Sequence, residues 1–377
     1  MDGDYDCVIA GASLAGLNAA YHAAKAGAKV LCVDVKNDVC EFKCAEGILG
    51  DHLAELDIRP RTDWVSVEFR RIHLVPPSGS AVDITLKHKV GYILDRAEFQ
   101  RWLYNRATKA GATIALGLEF KVTGFDLKTG VLKTAGGVPI ASKLFIDATG
   151  MQSWLGRTVF KGLEKLGDEE FSPVLQDTIK TDRLREYDDC IAMWFGKAHW
   201  APRGYQWVFP KGDGTYNVGL GGIHAAYKKQ NLRSLLDKFI ARRLGLTRSD
   251  YTKLYTIGSR LPLTPPLKEH VAKVNGNVLM LVGDAAHLCW PNTGGGIAVA
   301  LMSGEQAGRA WMASHKYQRW MNERLVTKQA KANRFKEMYI KDDASIDRAF
   351  RKLRWFKRLH TIFPKYVEER AFADIRI

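Results

Sequence analysis

The sequence predicts an α/β protein: a Rossmann-type dinucleotide-binding domain interleaved with an antiparallel-sheet domain, plus C-terminal helices. Three observations predict it. The N-terminus reads as strand, glycine turn, Ala-rich helix and a second strand ending in an acid. Two later strand-like runs, ending at Asp147 and Val282, each lead into a turn holding Asp and Gly. Between them lies a stretch with period-two aromatics and a hairpin signal.

In order, Tyr5 to Ala10 is a short apolar strand, Leu14 to Gly27 a helix, and Lys29 to Asp34 a strand. A loop carrying Cys and Glu runs from Val35 to Gly50. Val65 to Leu94 alternates as strands, interrupted by Pro76-Pro77-Ser78-Gly79. Arg96 to Gly111 is predicted helical, with Phe99, Leu103 and Ala107 on one stripe. Glu119 to Ile146 reads as a three-stranded meander with turns at Lys128-Thr129-Gly130 and Gly136-Gly137. Cys190 to Phe195 and Tyr205 to Phe209 are strands, and Lys211-Gly212-Asp213-Gly214 turns a hairpin back into Thr215 to Gly221. Gly276 to Val282 is a buried strand, and three helical stretches finish the chain. The expected domains are 1–155 with 268–315 for the cofactor, 156–267 for an antiparallel sheet, and 316–377 for a helical region.

The 377 residues, 46% apolar, are enough for a large core. No apolar run reaches the length of a membrane span. The acidic start, Met1 to Asp6, does not read as a signal peptide. Six cysteines (Cys7, Cys32, Cys40, Cys44, Cys190, Cys289) are therefore expected as thiols in a cytoplasmic protein rather than as a disulfide framework. Net charge is +15, and residues 301–377 hold 18 Lys and Arg against 9 Asp and Glu. Such a surface favours anionic partners. With no nucleic-acid motif present, lipid or phosphate is expected instead. No metal ligand set is assigned.

The first turn is Gly11-Ala12-Ser13-Leu14-Ala15-Gly16. Ser13 stands where the dinucleotide fingerprint has its middle glycine. Gly11, Ser13, Ala15 and Gly16 are expected to cradle a pyrophosphate at the helix N-terminus, with the Ser13 hydroxyl as a further donor. Asp34, 23 residues after Gly11, is placed to bind ribose. Asp147-Ala148-Thr149-Gly150 and Gly283-Asp284-Ala285-Ala286-His287 follow later strands. Asp284 suits a ribityl chain, and Gly294, Gly295, Gly296 and Ile297 open a helix suited to the flavin's pyrimidine edge. A nicotinamide cofactor alone does not explain three such segments; an extended FAD does.

Together these segments resemble the para-hydroxybenzoate hydroxylase group of flavoproteins, in which a flavin-contacting Arg often stands where Arg96 does. Two further motifs narrow the resemblance. Pro202-Arg203-Gly204-Tyr205-Gln206-Trp207-Val208-Phe209-Pro210 resembles the P-x-x-Y-x-W-x-F-P signature of the geranylgeranyl reductase family. The resemblance implies that Tyr205, Trp207 and Phe209, on one face of a strand, line an isoprenoid cavity; spacing alone also allows a core face. Lys43-Cys44-Ala45-Glu46-Gly47 is similar to that family's Cys-x-Glu-Gly loop over the flavin, with Ala45 where Gly is usual. The resemblance covers Tyr5 to about residue 315.

It implies a reductase that saturates geranylgeranyl double bonds, on archaeal-type ether phospholipids or related prenyl compounds. Cys44 is the candidate proton donor, or a gate to the flavin ring. Cys40 and Cys289 are the thiols that could approach it, Cys289 as a candidate redox partner, and Glu46 is a loop anchor. The electron donor would be NAD(P)H or a ferredoxin. The alternatives are an FAD-dependent aromatic hydroxylase and a non-catalytic prenyl-lipid carrier. Residues 350–359 combine an apolar stripe (Phe350, Leu353, Phe356, with Phe363 beyond) and many cations. That suits peripheral contact with the inner face of the cell membrane, or packing on the core with the basic side in water.

Overall fold

The computed structural model describes residues 5–86, 90–163, 165–197 and 200–362, with side chains through residue 355. In chain order, the elements that matter here begin with β1 (Cys7–Ala10), α1 (Leu14–Lys25) and β2 (Val30–Asp34). Next come β3 (Arg71–Val75), β4 (Val82–Thr85), α2 (Arg96–Lys109), β5 (Thr113–Leu116) and β6 (Leu144–Asp147). The middle supplies β7 (Phe171–Lys180), β8 (Cys190–Gly196), β9 (Ala201–Gly212), β10 (Thr215–Gly222), α3 (Leu232–Lys238) and β11 (Thr252–Pro262). The last third holds β12 (Val271–Val274), β13 (Asn277–Leu281), α4 (Ile297–Arg309), α5 (Thr327–Tyr339) and α6 (Asp343–Ile362).

These elements form two compact units. One contains Met1–Val65, Leu94–Phe171 and Leu261–Ala330; the other contains Ser66–Ile93, Ser172–Arg260 and Lys331–Ile377. In the first, the sheet order is β12-β13-β6-β1-β2-β5. It is parallel except at β12–β13, with Ile9 beside Cys32 and Ile146, and Ile146 beside Met280. The continuous apolar runs of β1 and β2 fit strands covered on both faces. The meander is present, as Val122–Asp126, Val131–Thr134 and Ile140–Ala141. On α2, Phe99, Leu103 and Ala107 are fully buried, and Asp95 caps the helix by accepting from the Glu98 N–H.

Helices α1 and α4 touch backbone to backbone. A Cβ at Gly304 would lie 2.2 Å from the Ala15 carbonyl oxygen, and one at Gly308 would lie 2.4 Å from that of Ala19. Contacts at 15/304 and 19/308 mean the two helices run in the same direction.

The second unit is a seven-stranded sheet, β11-β7-β10-β9-β8-β3-β4. The hairpin between β9 and β10 turns on Asp213 and Gly214, both at positive φ, as its turn type requires. One face of this sheet carries Ile179, Ala192, Trp194, Val208, Val218 and Leu220. That face packs on Leu235, Leu236, Phe239 and Ile240 of the α3 region. Alternation puts Tyr205, Trp207 and Phe209 on the opposite face. They follow one another with ring centroids 5.7 and 6.4 Å apart.

The unit boundaries differ from the continuous 156–267 block expected for the sheet and the separate 316–377 helical region. β3 joins the sheet by parallel pairing with β8, and α6 lays Ile346 and Phe350 against Leu74, Ile84 and Phe195. The alternation in 66–93 identified strands, but a strand's own pattern does not name its partner. The apolar stripe of α6 is thus used inside the unit. The Phe356 side chain and Phe363, expected on the same stripe, lie outside the described residues.

Gly304→Val should cost about 3 kcal/mol or more, because backbone rather than a side chain must move. Gly124→Ala, where a Cβ meets only Lys133 at 3.7 Å, should leave stability nearly unchanged. Thermal unfolding of both variants checks the difference.

Candidate functional site

The glycine turn is shaped by close backbone approach. Gly11 has φ +106, and a Cβ on it would lie 2.2 Å from the Ala148 carbonyl oxygen. A Cβ on Gly16 would lie 1.8 Å from the Gly11 carbonyl oxygen. Only glycine fits either place, so β1 enters α1 with the helix's first N–H groups left for an anion. Ser13 is the N-cap, yet its side chain does not cap the helix. The hydroxyl donates instead to Gln100 Oε1, 3.1 Å away, which differs from the phosphate donor expected. Ala15 turns its methyl toward Gly283, so only its backbone faces the turn's chemistry. Asp34 accepts from the Ala12 N–H (2.6 Å) and the Lys36 N–H (3.1 Å). It therefore braces the turn as well as standing where a ribose acid is expected.

Asp147 is wholly internal. It accepts from the Thr149 N–H and hydroxyl, the Ser153 hydroxyl, and the Leu155 and Gly156 N–H groups. The segment at 147–150 thus shapes the turn beneath Gly11 rather than offering a free carboxylate. Asp284 differs. It is partly buried, and its carboxylate has no partner among the described residues. Burial pushes its pKa up to about 6. A Cβ on Gly296 would lie 3.6 Å from Asp284 Oδ1, so Asp284 faces the glycine run opening α4. Gly294 takes φ +74, Gly295 is exposed and Ile297 is buried as the first helical residue.

Helix α4 begins seven residues before the Gly304 contact, whereas Ala15 is at the start of α1. At 1.5 Å per residue the two N-termini point the same way, offset by about 10 Å along the pair. Two positive helix ends so spaced suit an elongated anionic ligand, with a phosphate at one end and an electron-rich ring at the other.

The loop carrying Cys44 is tied to α2. Glu46 is buried at φ 76. Its carboxylate accepts from the Arg96 N–H (3.3 Å), and its carbonyl accepts from the Leu94 N–H (3.0 Å). Cys44, half-buried, receives the Glu46 N–H on Sγ at 3.2 Å. Burial raises its pKa, opposed mainly by the Arg96 charge, so the group is a thiol near neutral pH. Ala45 lies half-buried between them. Cys289 is buried and held protonated chiefly by burial, with Asp284 and Cys44 nearby. All six cysteines are free thiols.

Arg96 is 3% exposed. One terminal nitrogen donates to Gln100 Oε1 (3.0 Å), and the guanidinium lies over the Phe42 ring. Nε and Nη1 have no partner among the described residues. A guanidinium cannot shed its charge, so these buried donors call for an acceptor-rich ligand. That orphaned cation, the unpartnered Asp284 and the two helix ends fit an extended flavin dinucleotide.

Sequence reasoning missed Gln100. It is fully buried, accepts from Ser13 and Arg96, and donates to the Val39 and Glu41 carbonyls. Its signal was position: Arg96 and Gln100 are four apart on α2 and share a face.

Residues 175–257 match the family model of the geranylgeranyl reductase catalytic domain. The chain is 34% identical to digeranylgeranylglycerophospholipid reductase 1 of Methanopyrus kandleri, over 81% of this chain and 80% of that protein. It is 32% identical to the Thermoplasma volcanium reductase of that name, over 81% and 77%. A geranylgeranyl bacteriochlorophyll reductase-like structure from Thermoplasma acidophilum superposes with TM-score 0.80 at 28% identity, over 92% of this chain and 90% of that one. A mutant of halogenase PltM, solved in complex with FAD, shares the fold at TM-score 0.69 and 15% identity, over 97% of this chain and 83% of that one.

Fold and site together define an FAD-dependent oxidoreductase. More narrowly, the chain belongs to the geranylgeranyl reductase family.

Gln100→Leu strands the Ser13 hydroxyl, an Arg96 nitrogen and two carbonyls at once. At about 1–3 kcal/mol per stranded buried group, we expect FAD affinity to fall at least tenfold, with a lower melting temperature. Titrating the apoprotein with FAD and following thermal unfolding check both.

Proposed function

We propose that this protein is an FAD-dependent reductase that saturates double bonds of geranylgeranyl chains, on archaeal-type ether phospholipids or a related prenyl compound. The observation that carries the reading is the Tyr205–Trp207–Phe209 row. It stands on the sheet face opposite the helix-packed core, inside the segment that matches the catalytic-domain family model. A continuous aromatic wall suits a long apolar chain.

In this reading the backbone of Gly11 to Gly16 holds the pyrophosphate, and Asp34 and Asp284 hold ribose and ribityl hydroxyls. Gly294, Gly295, Gly296 and Ile297 approach the ring from the α4 N-terminus. Arg96 gives its two free nitrogens to flavin acceptors, with Cys44 and Ala45 alongside. Reduced FAD supplies hydride. An isolated alkene also needs a proton on the other carbon. Cys44 is suited to that role because its environment keeps the proton on sulfur. The reducing equivalents come from NAD(P)H or a ferredoxin.

The polar end of the substrate is anionic, and the second unit is basic near its C-terminal helices. No helix among the described residues is long and apolar enough to cross a membrane. Trp355, Met338 and Phe335 are 59%, 57% and 42% exposed. Lys352 of α6 donates to the Tyr339 hydroxyl of α5 at 2.7 Å, bringing the two helices together. With Arg351 and Lys352 exposed beside them, these side chains suit contact with an anionic membrane surface, in place of the apolar stripe of α6.

Purified protein, reduced anaerobically with dithionite and given a geranylgeranylated phospholipid, should yield products heavier in steps of two hydrogens by mass spectrometry. NADPH-driven oxygen uptake on phenols without such gains would mean an aromatic hydroxylase. Lipid binding by a flavin-free protein would mean a carrier. Cys44→Ala should lower turnover about 10²-fold, as loss of a positioned acid does, while retaining FAD; full turnover would remove Cys44 from the reaction.

Sedimentation with vesicles checks the membrane contact. Binding should require anionic lipid and weaken severalfold in Trp355→Ala with Arg351→Glu, whereas equal binding to neutral vesicles would count against a charge-driven contact.

A further inference from the structure

Gln176 on β7, Gly219 on β10 and Trp207 on β9 are direct neighbours in register across three strands, so they stand on one face. The Trp207 indole N–H donates to Gln176 Oε1 at 3.1 Å, with both residues buried. The bond spans β10, and only a glycine there permits it. A Cβ on Gly219 would lie 2.3 Å from Trp207 Cζ2 and 2.5 Å from Cε2.

An indole nitrogen donates and never accepts, so the Gln176 amide must turn its oxygen toward Trp207 and its amino group away. That amino group is buried with no partner among the described residues. Buried donors are seldom left so. Gln176 thus holds the indole while its own amino group goes unbonded. Trp207 is the middle ring of the aromatic row and sits between Tyr205 and Phe209. Its tilt sets how the two outer rings are joined into one surface.

We propose that Gln176 and Gly219 are positioning residues for substrate selection. They lay Trp207 flat across β10, and the fixed indole sets which double bonds along a prenyl chain can be presented for reduction. This rests on the prenyl-reductase reading. Gln176→Leu releases the indole and Gly219→Ala pushes it off the strand. Gln176→Glu keeps an acceptor for the N–H, and Trp207→Phe keeps a ring without one.

The test uses FAD-loaded full-length protein and a geranylgeranylated phospholipid, with products analysed at partial and complete turnover by mass spectrometry and ozonolysis. Nitrogen-15 indole NMR follows the Trp207 N–H. We expect wild-type FAD content in Gln176→Leu and Gly219→Ala, a displaced Trp207 resonance, and about a tenfold shift toward partly saturated chains, the scale on which apolar-pocket changes discriminate. Gln176→Glu should restore both resonance and product pattern. A displaced resonance with the wild-type product pattern overturns the proposal. Should one variant fail to fold, the other, with Trp207→Phe, decides the same question. A wild-type protein that leaves prenyl chains unreduced would instead reject the underlying reading, and with it this proposal.

Discussion

The contact between α1 and α4 is the constraint on which the first unit depends. Gly304 and Gly308 bring α4 onto the carbonyls of Ala15 and Ala19, closer than side-chain-separated helices come. Two parallel helices in such contact put like dipole ends side by side. Their stagger separates those ends along the pair. The same contact sets Gly283 against Ala15, and so places Asp284 beside the opening of α4. Gly11 and Gly16 complete the arrangement by letting β1, β6 and α1 meet without side chains between them.

Around that frame the electrostatics are incomplete within the described protein. Arg96 is buried with two idle nitrogens, and Asp284 has no carboxylate partner among the described residues. Unpaired buried charge is costly, and a site built to receive a polar cofactor is a physical reason to retain it. Gln100 limits the cost by pinning one Arg96 nitrogen and joining the glycine turn to the Val39–Glu41 backbone. Cys44 is the complementary case. Burial outweighs the Arg96 charge and keeps the sulfur protonated, so the group is not set up as a thiolate nucleophile.

The second unit divides its labour between the faces of one sheet. The face with Val208, Val218 and Leu220 packs on the α3 region and supplies stability. The face with Tyr205, Trp207 and Phe209 presents rings, and the glycine beneath Trp207 leaves room for one of them to lie flat. At its β3–β4 edge this second face meets Phe350 of α6 through Phe195. The C-terminal apolar stripe is therefore a packing surface, and exposed Trp355 is left among the cations.

The sequence by itself determined the local elements and the residue types of the site. Glycine spacing, alternation and the β9–β10 turn are short-range features, so the βαβ unit, the aromatic row and the hairpin were legible from neighbouring residues alone. The tertiary structure decided what each group is free to do. Ser13 reads as a phosphate donor until Gln100, 87 residues away, takes its hydroxyl. Asp147 and Asp284 look alike after their strands, yet one is consumed by five donors and the other has none among the described residues. Residues 71–85 read as strands, but only the pairing of β3 with β8 assigns them to the second sheet. Hydrogen-bond capacity and strand partnership depend on groups distant along the chain, and no local pattern carries that information.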